Sequence, residues 1–204
     1  MSRPAPTDPT VVVDVDPPSW LLVPPTPEAV DQWREAAAAL FAFSAEIDRT
    51  GGVTPPEIDV EAALDGLLAM AATLGSASRL AASLAVPGAW PLPVVVDAGL
   101  TGDDAPDLLE LGRARGGTPL EAPLIDELPD DVGPGIVVTR FDLDLQGRVW
   151  ATVTAAARRD GLDVTATWRS TDLGLVPLQT PAVVELAGRV RLVDWADDLQ
   201  ETTR

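Results

Sequence analysis

Carboxylates are the abundant side chains in this sequence that could carry out acid–base or nucleophilic chemistry. The 204 residues include 32 Asp and Glu, 14 Arg, and no His, Cys, Lys or Tyr. Ser–His and Ser–Lys catalysis, lysine Schiff bases and metal sites built on His or Cys are therefore excluded. A pair of carboxylates acting as general acid and general base, as in glycoside hydrolysis, stays open because it needs only Asp and Glu.

The first candidate for carboxylate chemistry is the pair Asp14 and Asp16, which follows the apolar run 11–13. The pair is similar to the Asp-x-Asp of haloacid-dehalogenase-like phosphotransferases, in which the first Asp is the nucleophile and the second the acid/base. Pro17 and Pro18 replace the small turn residues expected after that motif, and the chain has no lysine to complete the site. We therefore expect two carboxylates at a strand end rather than an active phosphotransferase.

Three other acidic segments could hold a cation, because hard cations prefer oxygen ligands. Residues 142–147, Asp-Leu-Asp-Leu-Gln-Gly, imitate the start of a calcium-binding loop, but Val153 stands where that loop needs a Glu. Residues 103–107 and 126–131 contain clusters of acids, which are most often solvated loops. We predict no metal site and no cofactor, and weak cation binding by these loops stays open.

A group of arginines around one tryptophan is the most suggestive feature of the sequence. The chain carries a net charge of −18, yet residues 132–193 contain seven Arg and only six acids. Arg and Trp dominate the binding energy of many protein interfaces, so this group has the makeup of a partner-binding surface. The alternative is an ordinary solvated sheet face, or one covered by residues 113–135. The predicted partner-binding residues are Arg140, Trp150, Thr152, Arg158 and Arg169.

Three antiparallel strands, over 136–144, 148–157 and 163–170, must position this surface. Each segment alternates apolar with polar residues and is bounded by turn residues, which is typical of half-buried strands. We expect a meander with one core face and one polar face. The predicted core face consists of Val137, Phe141, Leu143, Val149, Ala151, Val153, Ala155, Val164, Ala166 and Trp168.

Two turns set the register of this meander. The dipeptide Asp160-Gly161 is a strong signal for a two-residue type I′ hairpin. For the other turn, a two-residue loop would mix core with solvent, so we predict a three-residue loop, 145–147, with Gly147 in the left-handed conformation. The predicted pairs include Arg159 with Leu162, Arg158 with Asp163, Thr152 with Arg169, Asp144 with Arg148, and Val137 with Ala155.

Two helices and several further strands complete the predicted domain. The first helix has Thr26 as N-cap and ends before Gly51, and the second runs from Asp59 to Gly75. The buried stripe of the first helix is predicted to be Val30, Trp33, Ala37, Leu40, Ser44 and Ile47. Strands are expected over 11–16, 19–24, 79–86, 92–100 and 120–127, with a short acidic helix from Asp104. Thr180 and Pro181 indicate the start of a last helix, although residues 189–193 would also suit a strand.

The sequence thus predicts one α+β domain, with a mostly antiparallel sheet, a C-terminal three-stranded meander, and two or three helices packed on one face. We expect a flexible Pro-rich N-terminus over 1–10, the domain over 11–195, and an acidic tail over 196–204. The N-terminus has no apolar leader, and no run approaches the roughly 18 apolar residues of a membrane span, which favours the cytoplasm. The negative charge opposes binding to nucleic acid or anionic lipid.

The order of these elements resembles that of the Mog1/PsbP-like domains of high-GC bacteria. The resemblance lies in the segment Pro17-Pro18-Ser19-Trp20, the helix from Thr26, and the hairpins between residues 137 and 168. A bacterial source also suits the lack of Lys, Tyr and Asn, all of which have AT-rich codons. The resemblance implies binding, with an association with secretion, rather than catalysis.

The function predicted from these observations is that of a non-catalytic cytoplasmic interaction or scaffold protein with a protein partner. Two alternatives stay open. One is a hydrolase that uses paired Asp or Glu carboxylates, and the other is an acidic inhibitor or immunity-type protein whose N-terminal acids mimic an anionic ligand.

Overall fold

Seven antiparallel strands form the central sheet of this protein, which a computed structural model describes over residues 10–16, 19–24, 29–115 and 118–193. The helices are α1 (Val30–Thr50), α2 (Val60–Ala72), α3 (Leu108–Leu111) and α4 (Val176–Gly188). The strands are β1 (Thr10–Val13), β2 (Trp20–Leu22), β3 (Ser78–Ser83), β4 (Leu92–Leu100), β5 (Leu124–Glu127), β6 (Gly135–Leu143), β7 (Val149–Arg159), β8 (Leu162–Ser170) and β9 (Val190–Val193). The order in the sheet is β2-β3-β4-β8-β7-β6-β5, and β1 pairs with β9 separately. The predicted single α+β domain is confirmed.

The meander β6-β7-β8 has the register that its turns predict. Asp160 and Gly161 have φ angles of 51° and 73°, as a type I′ turn requires. Gly147 has a φ of 76° at the end of the three-residue loop, and the Asp144 N–H donates to the Arg148 carbonyl at 3.0 Å. Every predicted cross-strand pair of the meander is present, including Arg158 with Asp163, Thr152 with Arg169, and Val137 with Ala155.

The core face of the meander packs against α4, but the prediction is wrong for Leu143, which lies at the end of β6 and is 52 % exposed. The middle of this face consists of Ala155, Ala157 and Ala166, which are fully buried and leave room for a helix to approach closely. The helix contributes Val183 and Leu186, both 0 % exposed, to the same core. Strands β1 and β9 lie beside this core, since Val13 and Val190 are buried within it.

Helices α1 and α2 pack on the opposite face, against β2 and β3. Phe41 of α1 and Leu64 of α2 are buried against Leu21 and Leu80 of those strands. The two helices therefore share one face, as the sequence predicts, while α4 covers the other face. Asp59 caps α2 as predicted, because its carboxylate accepts the Ala62 N–H at 3.2 Å.

Two predicted helix features are wrong. The last helix begins at Val176 rather than after Thr180, and Pro181 lies inside it, so the Thr180 hydroxyl donates to the Val176 carbonyl at 2.7 Å instead of capping. In α1 the buried stripe includes Phe41 and Asp48, whereas the predicted Ile47 is 50 % exposed.

The remaining boundaries differ by a few residues. The short helix α3 begins after Asp107, not Asp104, because the Asp107 carboxylate accepts the Glu110 N–H at 2.8 Å. Residues 189–193 belong mostly to strand β9, which follows α4 directly. The predicted N-cap at Thr26, the N-terminus over 1–9 and the acidic tail over 196–204 lie outside the described residues. In the part of the chain that the structure describes, no helix is both long and apolar enough to cross a membrane.

Candidate functional site

The indole of Trp150 is held in one orientation on the polar face of the sheet. Its Nε1 donates a hydrogen bond to Asp144 Oδ2 at 3.0 Å. The other carboxylate oxygen of Asp144 accepts the backbone N–H groups of Gln146 and Arg148 at 2.9 and 2.8 Å. The three-residue loop therefore fixes the carboxylate, and the carboxylate fixes the half-buried indole. These bonds, the Trp150 N–H first, hold the pKa of Asp144 well below its usual range.

Two guanidinium groups flank the ring of Trp150. The guanidinium carbon of Arg169 lies 4.6 Å from the ring centroid, and that of Arg148 lies 5.7 Å from it. Both distances allow cation–π attraction. Arg148 also pairs with Asp144 at 2.7 Å. The exposed Arg169 makes no hydrogen bond or ion pair with any other described residue.

Arg140 lies in one row across the sheet with Thr152 and Arg169, but its guanidinium is bonded within the fold. Its guanidinium forms a two-bond pair with Asp142 at 3.0 and 2.8 Å and donates to the Arg113 carbonyl at 3.0 Å. The side chain is only 11 % exposed. The guanidinium lowers the pKa of Asp142 and has its own pKa raised by that carboxylate. Arg140 thus attaches the chain after α3 to β6.

Arg158 lies at the far end of β7, and it too has structural partners. It donates to both oxygens of Asp163 at 2.6 and 2.9 Å and to the Pro106 carbonyl at 2.6 Å. Thr101 donates to the same carboxylate at 2.8 Å. Arg158 follows Trp150 by eight positions, which span roughly 26 Å of strand. Arg158 is therefore not part of the cluster around Trp150.

The middle of the polar face is covered. Thr154 and Thr165 are 1 % and 6 % exposed, and Gly112 at the end of α3 packs closely on Ile136 and Val138. The sequence analysis named residues 113–135 as a possible cover of this face. In the structure, α3 and the residues on either side of it cover the middle of the face. Of the five predicted binding residues, the structure brings Arg140, Trp150, Thr152 and Arg169 together.

Sequence reasoning missed Arg148 and Asp144 as parts of this cluster. A detectable signal exists for Arg148, because residues two apart on a strand share a face and Arg148 is two residues before Trp150. Asp144 was predicted as the end of a strand, opposite Arg148, and as part of a segment that imitates the start of a calcium-binding loop. Its role depends on the loop that folds its carboxylate under the indole, which no spacing reveals. We use the name Trp150 surface for Arg148, Trp150, Thr152 and Arg169.

Four described Asp residues have a pKa that their hydrogen-bond donors lower. A carboxyl that acts as general acid at neutral pH needs a raised pKa. The described Asp residues with a shifted pKa all have it lowered, by Arg or by N–H donors, and they are Asp107, Asp142, Asp144 and Asp163. Asp14 and Asp16 are exposed beyond the end of β1. No described group of three or more acids is placed to hold a metal ion.

A groove of about 680 Å³ lies between α4 and the β5–β6 end of the sheet. Its apolar lining includes Val132, Val137, Pro181 and Val184, and its charged lining residues are Glu127, Asp131, Glu185 and Arg189. The four Asp residues with a lowered pKa do not line this groove.

Comparisons of the chain with protein-family models, curated proteins and solved structures find no match. The resemblance to Mog1/PsbP-like domains stays a prediction.

Proposed function

We propose that this protein is a non-catalytic interaction module of the cytoplasm, and that a protein partner binds at the Trp150 surface. The observation that carries the proposal is the stacking of the exposed Arg169 guanidinium over an indole that Asp144 holds in place. Such a pair combines an oriented aromatic face with five N–H donors that are not used within the described fold.

The preorganisation of this pair supports binding. An interface side chain that is already ordered loses little conformational entropy when a partner arrives. Trp150 is ordered by its hydrogen bond, and Arg169 is ordered by the ring beneath it. Arg and Trp are also the residue types that most often dominate interface energies.

The charge of the surface indicates the chemistry of the partner. Arg148 shares its charge with Asp144, whereas Arg169 forms no ion pair with a described carboxylate and only helps, at longer range, to lower the pKa of Asp142. A carboxylate fits a guanidinium with two parallel hydrogen bonds. We therefore expect a protein segment that places an Asp or Glu on Arg169 and an apolar side chain beside Trp150.

The two other functions predicted from composition receive less support. Paired-carboxylate hydrolysis would need a carboxyl with a raised pKa in a cleft, and the shifted Asp residues in the described chain have lowered pKa values outside the groove. An acidic inhibitor would bind through its carboxylates, and its affinity would be independent of Arg169.

The test is partner capture followed by affinity measurement. Tagged wild type and the variants Arg169→Glu and Trp150→Ala are incubated with native cytoplasm, captured proteins are identified by mass spectrometry, and the dissociation constant of the purified partner is measured. We expect each variant to weaken binding by at least about 30-fold. A secretion component among the captured proteins would fit the association with secretion that the Mog1/PsbP-like resemblance implies.

A matched control is Arg49→Glu, which reverses an exposed arginine on α1 that is not part of the Trp150 surface. It should bind like wild type. Arg140→Glu is unsuitable, because it would break a partly buried pair with Asp142 and disturb the fold. Equal affinity of wild type, Arg169→Glu and Trp150→Ala for the captured partner would refute this assignment of the binding surface, as would the absence of any captured protein.

A further inference from the structure

We propose a second binding site on this protein: the outer edge of β5, together with the adjoining groove, binds an extended basic segment of another protein by strand addition. This site uses the opposite charge and a different part of the sheet from the Trp150 surface, and it does not depend on that surface.

The backbone of β5 has an open edge. The Leu128 N–H donates to the Gly135 carbonyl at 3.1 Å, which makes this a hydrogen-bonded antiparallel pair. Such pairs alternate along a strand, so Leu124 and Asp126 also bond to β6, while Ile125 and Glu127 direct their N–H and C=O groups outward. Among the described residues, no strand pairs with this outer edge, since β5 ends the sheet order.

The side chains of β5 are unusual for a strand. All four are exposed, and Leu124 and Ile125 are 56 % and 46 % exposed. Proteins commonly protect an open edge with charge, and here Asp126 and Glu127 give that protection against another acidic chain. The same two carboxylates would attract a basic chain to the edge.

The groove lies next to this edge, on the face that α4 covers. Asp126 is directly opposite Val137, and paired residues of antiparallel strands point to the same face. Val137 lines the groove, and so do Glu127 and Val184 of α4. A strand added to β5 would therefore direct every second side chain toward a cavity of about 680 Å³ with an apolar lining and carboxylates.

Charge selects the occupant. The exposed acids Asp126, Glu127, Asp130 and Asp131 have no ion pair or side-chain hydrogen bond with other described residues. Of the groove carboxylates, Glu185 pairs with Arg189 at 3.2 Å. A second copy of this chain would bring these acids together at the edge, which costs free energy, whereas Lys or Arg side chains would pair with them.

The experiment uses synthetic ten-residue peptides with the full-length protein. One peptide alternates Val with Lys, a second alternates Val with Glu, and a third is the Val–Lys peptide with N-methyl groups on alternate amides, made in both registers. Binding is followed by calorimetry, and hydrogen exchange reports on the amides of Ile125 and Glu127. We expect the Val–Lys peptide to bind at least about tenfold more tightly than the Val–Glu peptide and to protect both amides. One methylated register should lose binding and the other should keep it.

Two variants localise the effect. Ile125→Pro removes an outward N–H without removing a bond to β6, because proline is tolerated on an edge strand when its nitrogen faces solvent. Glu127→Lys reverses an exposed charge of the edge strand. Both variants should bind the Val–Lys peptide at least about tenfold more weakly than wild type does. Neither should change partner capture through Arg169, so loss of one binding site can be told from loss of the other.

Three results would overturn the proposal. The Val–Lys peptide could fail to bind, it could bind both variants as tightly as wild type, or it could bind without protecting the amides of Ile125 and Glu127. Self-association of wild type that Ile125→Pro abolishes would identify a second copy as the occupant and would equally contradict a basic partner.

Discussion

The carboxylate of Asp48 accepts the indole N–H of Trp90 at 2.8 Å, and both side chains are buried. The same oxygen accepts the backbone N–H of Gly88 at 3.0 Å. Trp90 also contacts Phe41, with ring centroids 5.5 Å apart. One acid near the end of α1 therefore connects that helix to the loop that leads into β4.

Asp48→Ala should destabilise the protein by about 2–5 kcal/mol, because the buried indole N–H of Trp90 and the partly buried N–H of Gly88 would lose their acceptor. Urea unfolding followed by fluorescence measures the change. The control is Glu35→Ala, an exposed acid on the same helix, which should change the free energy of unfolding by less than about 0.5 kcal/mol. Equal effects of the two substitutions would contradict a structural role for the Asp48 carboxylate.

This contact shows why part of the fold could not be predicted. The buried stripe of α1 was assigned from apolar residues at helical spacing, and that criterion selects Ile47 and rejects Asp48. The structure buries Asp48 and exposes Ile47, since the donors of a distant loop decide which residue turns inward. A contact between residues 42 positions apart has no local signal.

The meander, by contrast, could be predicted in detail. Its turns contain Asp160, Gly161 and Gly147, whose left-handed backbone fixes the register of both hairpins. Once the register is known, the side-chain alternation places Arg140, Thr152 and Arg169 in one row. The register also sets Arg158 opposite Asp163, so that ion pair could be anticipated. The cover over the middle of the face could not, because it depends on how the loop before α3 folds back.

Gln179 is the second case in which a buried polar group invites a test. It is 0 % exposed, and neither its amide nitrogen nor its amide oxygen has a hydrogen-bond partner among the residues that the structure describes. Burial of an unpaired amide costs about 1–3 kcal/mol. Gln179→Met, which has nearly the same volume, should therefore raise the free energy of unfolding by about 1–3 kcal/mol.

The measurement for Gln179→Met is urea unfolding with the midpoint and slope both fitted, so that a change in the unfolded state is recognised. Gln146→Met, in the exposed loop of the first hairpin, provides the matched control and should change stability by less than about 0.5 kcal/mol. A lower free energy of unfolding in Gln179→Met would mean that burial of the Gln179 amide does not destabilise the fold.

Arg159 should stabilise the end of α4. Its guanidinium donates to the carbonyls of Ala187, Gly188 and Val190 at 2.8, 3.0 and 2.7 Å, and to Val132 at 2.7 Å. The last carbonyls of a helix have no partner within the helix and carry partial negative charge, so a cation there is favourable.

Arg159→Met keeps the apolar part of the side chain and removes the donors. We expect it to lower the free energy of unfolding by about 2–4 kcal/mol and to speed hydrogen exchange at the end of α4. Arg148→Met, which removes an exposed guanidinium, should have a smaller effect on stability. If exchange in α4 stayed as slow as in wild type, the carbonyl contacts would not be holding the helix.

Acid should weaken the fold through the paired aspartates. Arg158 and then Thr101 donate hydrogen bonds that hold the pKa of Asp163 below its ordinary value of 3.8, and Arg140 does the same for Asp142. In the unfolded chain these carboxyls take up protons near pH 3.8, while in the folded chain they stay ionised to lower pH. Their stabilising contribution is therefore complete above about pH 5 and is lost as the pH falls below 3.8 toward the lowered pKa values.

Comparison of wild type with Asp163→Asn isolates this effect. Loss of net negative charge on acidification relieves repulsion throughout the chain, but it does so almost equally in both proteins, so the difference between them reports on Asp163 alone. We expect wild type to be the more stable protein at pH 7 and pH 5, and the difference to shrink between pH 4 and pH 2. Asp130→Asn, at an exposed acid, should show no such convergence. A difference between wild type and Asp163→Asn that stayed constant down to pH 2 would contradict the lowered pKa of Asp163.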